Sequence, residues 1–406
     1  MKRLFLLSVF LLLGAAVFGQ GANVWMKKTA FGGSKRSRGV GFSIGSRGYI
    51  GMGEDTADVV LNDLWEYDPG TDSWIQKASL PGAPRRDAVS FVIGNKAYVG
   101  TGIDAAESFN GNTLNDFWEY DPTTNAWTAR ANYPAAIYFA TGFAVSGKGY
   151  VCCGKIFSSN YSQQLWEYNP TTNSWLSRAP FPGGTRYGLC SFVIGTNAYV
   201  GMGTDENAFT KDLWQYTPAT NTWAQRANLP ASERFAVTTF TLSGYGYVGL
   251  GTDGGYKDDF YAYDPSSNTW YVRSSFDGGP RRSAPSFTIG NFAYVATGKG
   301  FTGSRRDFWM YVPWYVGVEE HELQEKGIVV YPNPVQEKCD VLIDPEILQN
   351  EKNLRFQLFD MNGRLVHEEK ADASFEFMRN GLPAGTYIFR LVSETRMINS
   401  GKLQLI

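Results

Sequence analysis

Residues 62–74 read NDLWEYDPGTDSW, and residues 115–127 read NDFWEYDPTTNAW. The same sentence returns as QQLWEYNPTTNSW (163–175), KDLWQYTPATNTW (211–223) and, weakened, DDFYAYDPSSNTW (258–270). A sixth copy, RDFWMYVP (306–313), stops before its final tryptophan. Counted from Trp65, the copies start 53, 48, 48, 47 and 48 residues apart. One active site does not need six copies of a motif, whereas an array of strand-rich units near this period predicts propeller blades.

Each unit reads as four strands. In the second, AVSFVIG (88–94) alternates apolar residues, KAYVGTG (96–102) ends in glycines, FWEY follows, and WTARANYP (127–134) opens on tryptophan. The strand-two tyrosine recurs as Tyr49, Tyr98, Tyr150, Tyr199, Tyr247 and Tyr294. Proline and Asn/Asp in the DPTTNA-type link supply a preset φ and a tolerated left-handed residue, the chemistry of a tight turn. Period two puts Trp65 and Tyr67 on one face, facing the next blade. The missing sixth outer strand stands at the other end of the chain: NVWMKKTAFGG (23–33) aligns with WIQKASLPG, placing Trp25 in the column of Trp74, Trp127, Trp175, Trp223 and Trp270. The expected fold is all-β, a six-bladed propeller closed by an N-terminal strand with no free edge.

The glycine-rich second strand with a separated tyrosine and tryptophan resembles kelch repeats, over roughly residues 23–314. The usual Gly-Gly doublet is replaced here by Gly-Met-Gly, Gly-Thr-Gly, Cys-Cys-Gly, Gly-Met-Gly, Gly-Leu-Gly and Ala-Thr-Gly.

Flanking segments carry addresses. MKRLFLLSVFLLLGAAVFGQ (1–20) has a basic start and a short apolar run, as in a secretory signal peptide cleaved near residue 19. Beyond the polar linker (315–328) the period vanishes, and VVYPNPV, LRFQLFDMNGRLV and LPAGTYIFRLV predict a small β-sandwich over 329–406. Those motifs at the C-terminus resemble the type A sorting domain of the bacterial type IX secretion system. The resemblance implies a Bacteroidota-type bacterium, passage through the outer membrane by that machinery, removal of the tail, and release or attachment to surface lipopolysaccharide. The domains are therefore 1–19 signal peptide, 20–314 propeller, 315–328 linker and 329–406 sorting domain. No membrane anchor is expected once the signal is removed, and a monomer is expected.

Charged residues are 19 % of the chain, aromatics 15 %, and the formal net charge is −2, which gives no electrostatic basis for nucleic-acid binding. The two histidines, His321 and His367, lie outside the propeller. That argues against a Ser-His-Asp relay, a histidine metal site, and the copper chemistry of galactose oxidase, itself a kelch-type propeller. No catalytic residue, metal or cofactor is assigned.

The rim that carries the fourth-to-first and second-to-third loops holds matched columns of residues. One column there holds Arg36, Arg85, Ile137, Arg186, Arg234 and Arg281; another, before the WEY strand, holds Asp63, Asp116, Gln164, Asp212, Asp259 and Asp307. Both fail in unit three. Each Arg is therefore expected to pair with the Asp of its own blade across about 9.6 Å, two inter-strand spacings. The neighbouring column varies (Ser37, Arg86, Tyr138, Tyr187, Phe235, Arg282), and Arg86, Tyr138, Tyr187, Phe235 and Arg282 form the candidate ligand rim. Cations beside aromatic faces suit a carboxylate-bearing sugar or an acidic peptide. Cys152, Cys153 and Cys190 are expected either as small apolar residues or as a disulfide from Cys152 or Cys153 to Cys190, because alternation points one of the two towards unit four. The insertion IDAAESFNGNT (103–113) forms a lip or a surface extension.

Three functions stay open: a secreted or surface-displayed module binding a glycan or protein ligand, a sugar isomerase, or an adhesion or surface structural protein. The isomerase reading rests on likeness to sialic acid mutarotases, exported six-bladed kelch propellers that use acid-base and arginine groups at the channel. Glu54, Glu107 and Glu206 stand in loops of the right class, as isolated residues.

Overall fold

A computed structural model describes residues 23–106, 111–156, 160–313, 328–331, 333–360, 363–394 and 396–406. The signal peptide, Glu107 and nearly all of the linker, His321 included, lie outside the described residues. Within the described residues no helix is long and apolar enough to cross a membrane. They fall into two compact units, 23–313 and 328–406.

The first unit contains six four-stranded antiparallel sheets. Blade one runs Val40–Ile44, Arg47–Gly51, Leu64–Asp68 and Ser73–Lys77, and blades two to five repeat that order. In the first strand Val40, Phe42 and Ile44 are buried while Gly41 and Ser43 are half-exposed, the period-two pattern of a strand between neighbours. Blade six takes its outer strand from the chain start: Val24–Lys28 pairs with Phe308–Val312, Trp25 opposite Tyr311. The ring is thus closed by hydrogen bonds, and the Trp25 ring packs against Phe260, Phe276 and Tyr311 at 4.7–5.1 Å.

The opening motif is the fastener between blades. The Trp127 indole donates to Ala78 O of the preceding blade at 2.8 Å, and Asn125 Oδ1 accepts from Ala78 N at 3.0 Å. The Tyr120 hydroxyl donates to the same Asn125 oxygen at 2.9 Å. Trp175, Trp223 and Trp270 with Asn173, Asn221 and Asn268 repeat the grip. At the closure Trp74 and Asp72 hold Thr29. The turn asparagines take φ 49–54°, a left-handed geometry that Asn tolerates better than most residues.

The second unit packs two antiparallel sheets. One holds Ile328–Tyr331, Lys338–Ile343 and Phe375–Met378; the other holds Leu365–Lys370, Arg355–Phe359, Gly385–Val392 and Met397–Leu405. Phe356, Leu358, Phe377, Leu391 and Leu403 are its buried centre. A short helix, Pro345–Asn350, capped by the Asp344 side chain, connects the two sheets.

Candidate functional site

Five arginines of the rim column are almost wholly buried, Arg85 and Arg281 at 0 % exposure. Arg36 reaches Asp63 at 2.5 and 2.7 Å, Arg85 reaches Asp116 at 2.6 Å twice, and Arg281 reaches Asp307 at 2.7 Å twice. Arg234 reaches Asp259 at 2.5 and 3.0 Å, and Arg186 touches Asp212 at 2.6 Å. Two parallel charge-assisted bonds are the strongest arrangement open to this pair. Burial alone would raise the Asp116 and Asp307 carboxyls; bonds from Arg85 and Trp118, and from Arg281 and Trp309, hold them below the ordinary carboxylate range. The indole two residues on donates to the Asp in four blades (Trp65, Trp118, Trp214, Trp309), so the WEY tryptophan has a polar task besides packing.

Each of these arginines also donates to the carbonyl of the middle residue of the Gly-X-Gly triplet, which is Ala-Thr-Gly in unit six: Met52, Thr101, Met202, Leu250 and Thr297, at 2.6–3.3 Å. That middle residue is left-handed in all six blades, with φ 56–62°. The glycine that follows has φ 88–109° and donates to the carbonyl of the next unit's Arg-column residue, as Gly53 does to Arg85 and Gly298 to Arg36.

Two residues beyond each arginine column position lies a belt around the axis. Asp87 N donates to Arg38 O, Phe139 N to Asp87 O, Gly188 N to Phe139 O, Ala236 N to Gly188 O, Ser283 N to Ala236 O and Arg38 N to Ser283 O, at 2.8–3.1 Å. All six are left-handed, φ 53–65°. The belt is invisible in the sequence because it uses only backbone, so Arg, Asp, Phe, Gly, Ala and Ser fill it without shared chemistry.

Above the belt, antiparallel bridges pair Ser37 with Glu54, Arg86 with Ile103, Tyr138 with Lys155, Tyr187 with Thr204, Phe235 with Thr252 and Arg282 with Lys299. The candidate ligand residues thus share one crown but divide into unlike halves. Arg86 is 5 % exposed: it bonds Asp87, lies 3.2 Å from Glu54, and donates to Ala105 O at 2.7 Å. Arg38 completes the quartet, 2.9 Å from Asp87 and 3.6 Å from Glu54. This corrects the reading of Arg86 as a ligand group, since two buried carboxylates occupy its guanidinium. Glu54 leaves the list of acid-base candidates for the same reason.

The other half is aromatic. Phe139, Tyr187 and Phe235 stand 5.7–6.0 Å apart pairwise, Tyr161 stacks on Tyr187 at 5.4 Å, and Phe209 stacks on Phe235 at 5.5 Å. Gly188 makes this approach feasible, because a Cβ there would lie 2.8 Å from Phe235 Cδ2. Lys155 Nζ lies over the Tyr187 and Tyr161 rings and bonds Glu206, whose carboxyl is lowered by that bond and by Tyr161. Arg282 sits over the Phe235 ring at 5.9 Å, and Tyr138 is half-buried beside Lys155. Burial and Glu206 push the Tyr187 hydroxyl up to about 12. Phe139, Tyr161, Phe209 and Lys155 escaped the sequence reading because their columns mix residue types from unit to unit, Lys155 standing in one with Glu54, Ile103 and Thr204.

Of the two arrangements expected for the cysteines, the structure holds buried, unlinked residues rather than a disulfide to Cys190. All four are free thiols: Cys190 Sγ lies 3.4 Å from Met202 Sδ of its own blade, while Cys152 and Cys153 Sγ atoms are 3.3 Å apart. Cys153 has φ 62°, which breaks strand alternation, and both thiols pack in one cluster with Leu189, Ala198 and Val200 of blade four, whereas Cys190 packs in another with Phe192, Tyr199 and Val248. Among the described residues, no group of three His, Cys, Asp or Glu is placed to hold a metal.

Comparisons with known proteins agree with this architecture. A kelch motif model matches residues 84–132, and a secretion system C-terminal sorting domain model matches residues 329–403. A solved structure titled "Structure of YjhT" is 17 % identical, covering 68 % of this chain and 95 % of its own, with a TM-score of 0.60, a likeness of fold. No curated protein matches. The chain is a kelch-repeat propeller joined to a type IX secretion sorting domain. The sorting domain marks it for export to the cell surface or the extracellular space.

Proposed function

We propose that this exported propeller is a binding module whose ligand sits on the aromatic half of the crown. The observation that carries this reading is the contiguous set Phe139, Tyr161, Tyr187, Phe209 and Phe235, in columns where repeat architecture requires no aromatic residue. Half-buried rings beside Lys155, Glu206 and Arg282 offer stacking faces, a carboxylate acceptor and cationic donors, the combination that recognises a sugar. The Arg column serves the repeat instead, because each of its five arginines is consumed by an Asp and a backbone carbonyl.

Glu206 supports a second reading, sugar isomerisation: its side chain is 44 % exposed, and it stands within 3.5 Å of the Tyr187 hydroxyl. A glycan array and an NMR anomer-exchange assay on the exported protein separate the two. Glycan binding lost in Tyr187→Ala without exchange supports the module. Accelerated exchange lost in Glu206→Gln supports the isomerase, and silence in both assays refutes both.

A further inference from the structure

Blade three is the unit without the rim clamp. Ile137 replaces the arginine and Gln164 the aspartate, so no guanidinium reaches the carbonyl of the left-handed residue, here Cys153. In that same unit, alone among the six, two adjacent cysteines occupy the last two residues before the glycine. Both are 0 % exposed, and their sulfurs already face each other. We infer that Cys152 and Cys153 are a cross-linking site, closed as a vicinal disulfide in the exported protein, where it fixes the left-handed turn that arginine fixes elsewhere.

The chemistry balances by thiol–disulfide exchange. One cysteine thiolate attacks a disulfide oxidant, a protein or low-molecular-weight disulfide of the export compartment, and releases one thiol. The second cysteine then displaces the other, so two thiols lose two protons and two electrons while the oxidant becomes two thiols. Exported chains meet such oxidants. Adjacent residues are 3.80 Å apart at Cα, less than the 4.4–6.8 Å usual for disulfides, so the ring is strained and reducible. Closure must precede burial, because folding hides both sulfurs and pushes the Cys153 thiol up.

The test is alkylation of full-length protein, recovered from an oxidising compartment, in denaturant without reductant, followed by tryptic digestion. The peptide Gly149–Lys155 holds both sulfurs. It should appear unalkylated and lighter by two hydrogens, and take two alkyl groups after reduction. A doubly alkylated peptide without reductant, or a link to the Cys190 peptide, overturns the inference. Mild reductant should lower the thermal midpoint of the wild type and of Cys190→Ser, and leave the Cys152→Ser/Cys153→Ser double variant unmoved. A double variant that still responds overturns the proposed role.

Discussion

Arg85 and Asp116 meet through two bonds of 2.6 Å, and the Trp118 indole donates a third to the same carboxylate at 2.6 Å. The arginine is fully buried and the aspartate side chain 29 % exposed, so this partner compensates a charge that solvent cannot reach. Removing the carboxylate strands a buried guanidinium. Asp116→Ala should cost about 3–5 kcal/mol in urea unfolding. Arg85→Ala should cost a similar amount, and the double variant less than their sum, because residues in one network do not add. Strict additivity of the three measurements would remove the pair from the account.

Acid should unfold the propeller through carboxylates held below their ordinary range. Burial pushes Glu119 up, but bonds from Arg130, Lys96 and Tyr98 outweigh it and bring its carboxyl to about 2. Asp116 and Asp307 are lowered in the same sense. A lowered folded-state pKa adds stability above the unfolded value of about 4, lost as pH falls through the folded one. The urea midpoint should be level near neutrality and fall from about pH 5 towards pH 2. Glu119→Gln should flatten that slope; an unchanged slope would exclude this carboxylate.

What could be read before the structure follows from what repeats. Trp74, Tyr67 and Asp72 recur because every blade grips its neighbour in the same way, so counting columns located the blades, the closing strand and the Arg–Asp partners. The belt through Arg38, Asp87, Phe139, Gly188, Ala236 and Ser283 makes a six-fold demand on backbone alone and leaves no residue signature. Arg86 and Tyr187 share a column but not a fate. Arg86 is neutralised by Glu54 and Asp87, one from another blade and one adjacent in sequence, and no periodicity announces either contact. Strand alternation also failed at Cys153, a left-handed residue whose thiol packs in one cluster with that of Cys152.

Ring closure rests on a few contacts to the first strand. Asp72 accepts from Thr29 N and Oγ1 and from the Tyr67 hydroxyl. Asp72→Ala therefore removes three acceptor contacts at the seam, and should cost about 1–3 kcal/mol. Asn221→Ala, the matching change between blades three and four, should cost about as much. Hydrogen exchange then separates the two: Asp72→Ala should loosen amides of residues 24–28, the terminal strand, while Asn221→Ala leaves them protected. Equal protection in both variants would show that the seam is no weaker than any other junction.

The sorting domain ends in a nine-residue strand, Met397–Leu405, paired with Gly385–Val392 and burying Leu403 and Leu405. Ile406 N donates to Val335 O, and Arg379 donates to Ile406 O, so the last residue is part of the sandwich. Deleting residues 397–406 exposes the core left by Leu403 and Leu405 and should abolish export, with the chain retained inside the outer membrane. Fractionation followed by immunoblotting checks this, and normal export of the truncated chain would refute it.

The crown separates residues that hold the fold from residues offered to a ligand, and substitutions should report the difference. Arg86→Ala leaves Glu54 and Asp87, at 3 % and 6 % exposure, with only Arg38 as a charge partner in the quartet. It should destabilise the propeller by about 3 kcal/mol or more and lower the thermal midpoint. Tyr187→Ala removes a half-buried ring whose neighbours Phe139, Tyr161 and Phe235 can partly close over the gap. It should shift the midpoint less than Arg86→Ala while lowering affinity for any glycan the protein captures by roughly 10-fold or more, the worth of a lost stacking face. Thermal scans and titration of both variants decide it. If Arg86→Ala spared stability and abolished binding while Tyr187→Ala did the reverse, the division of the crown would be inverted.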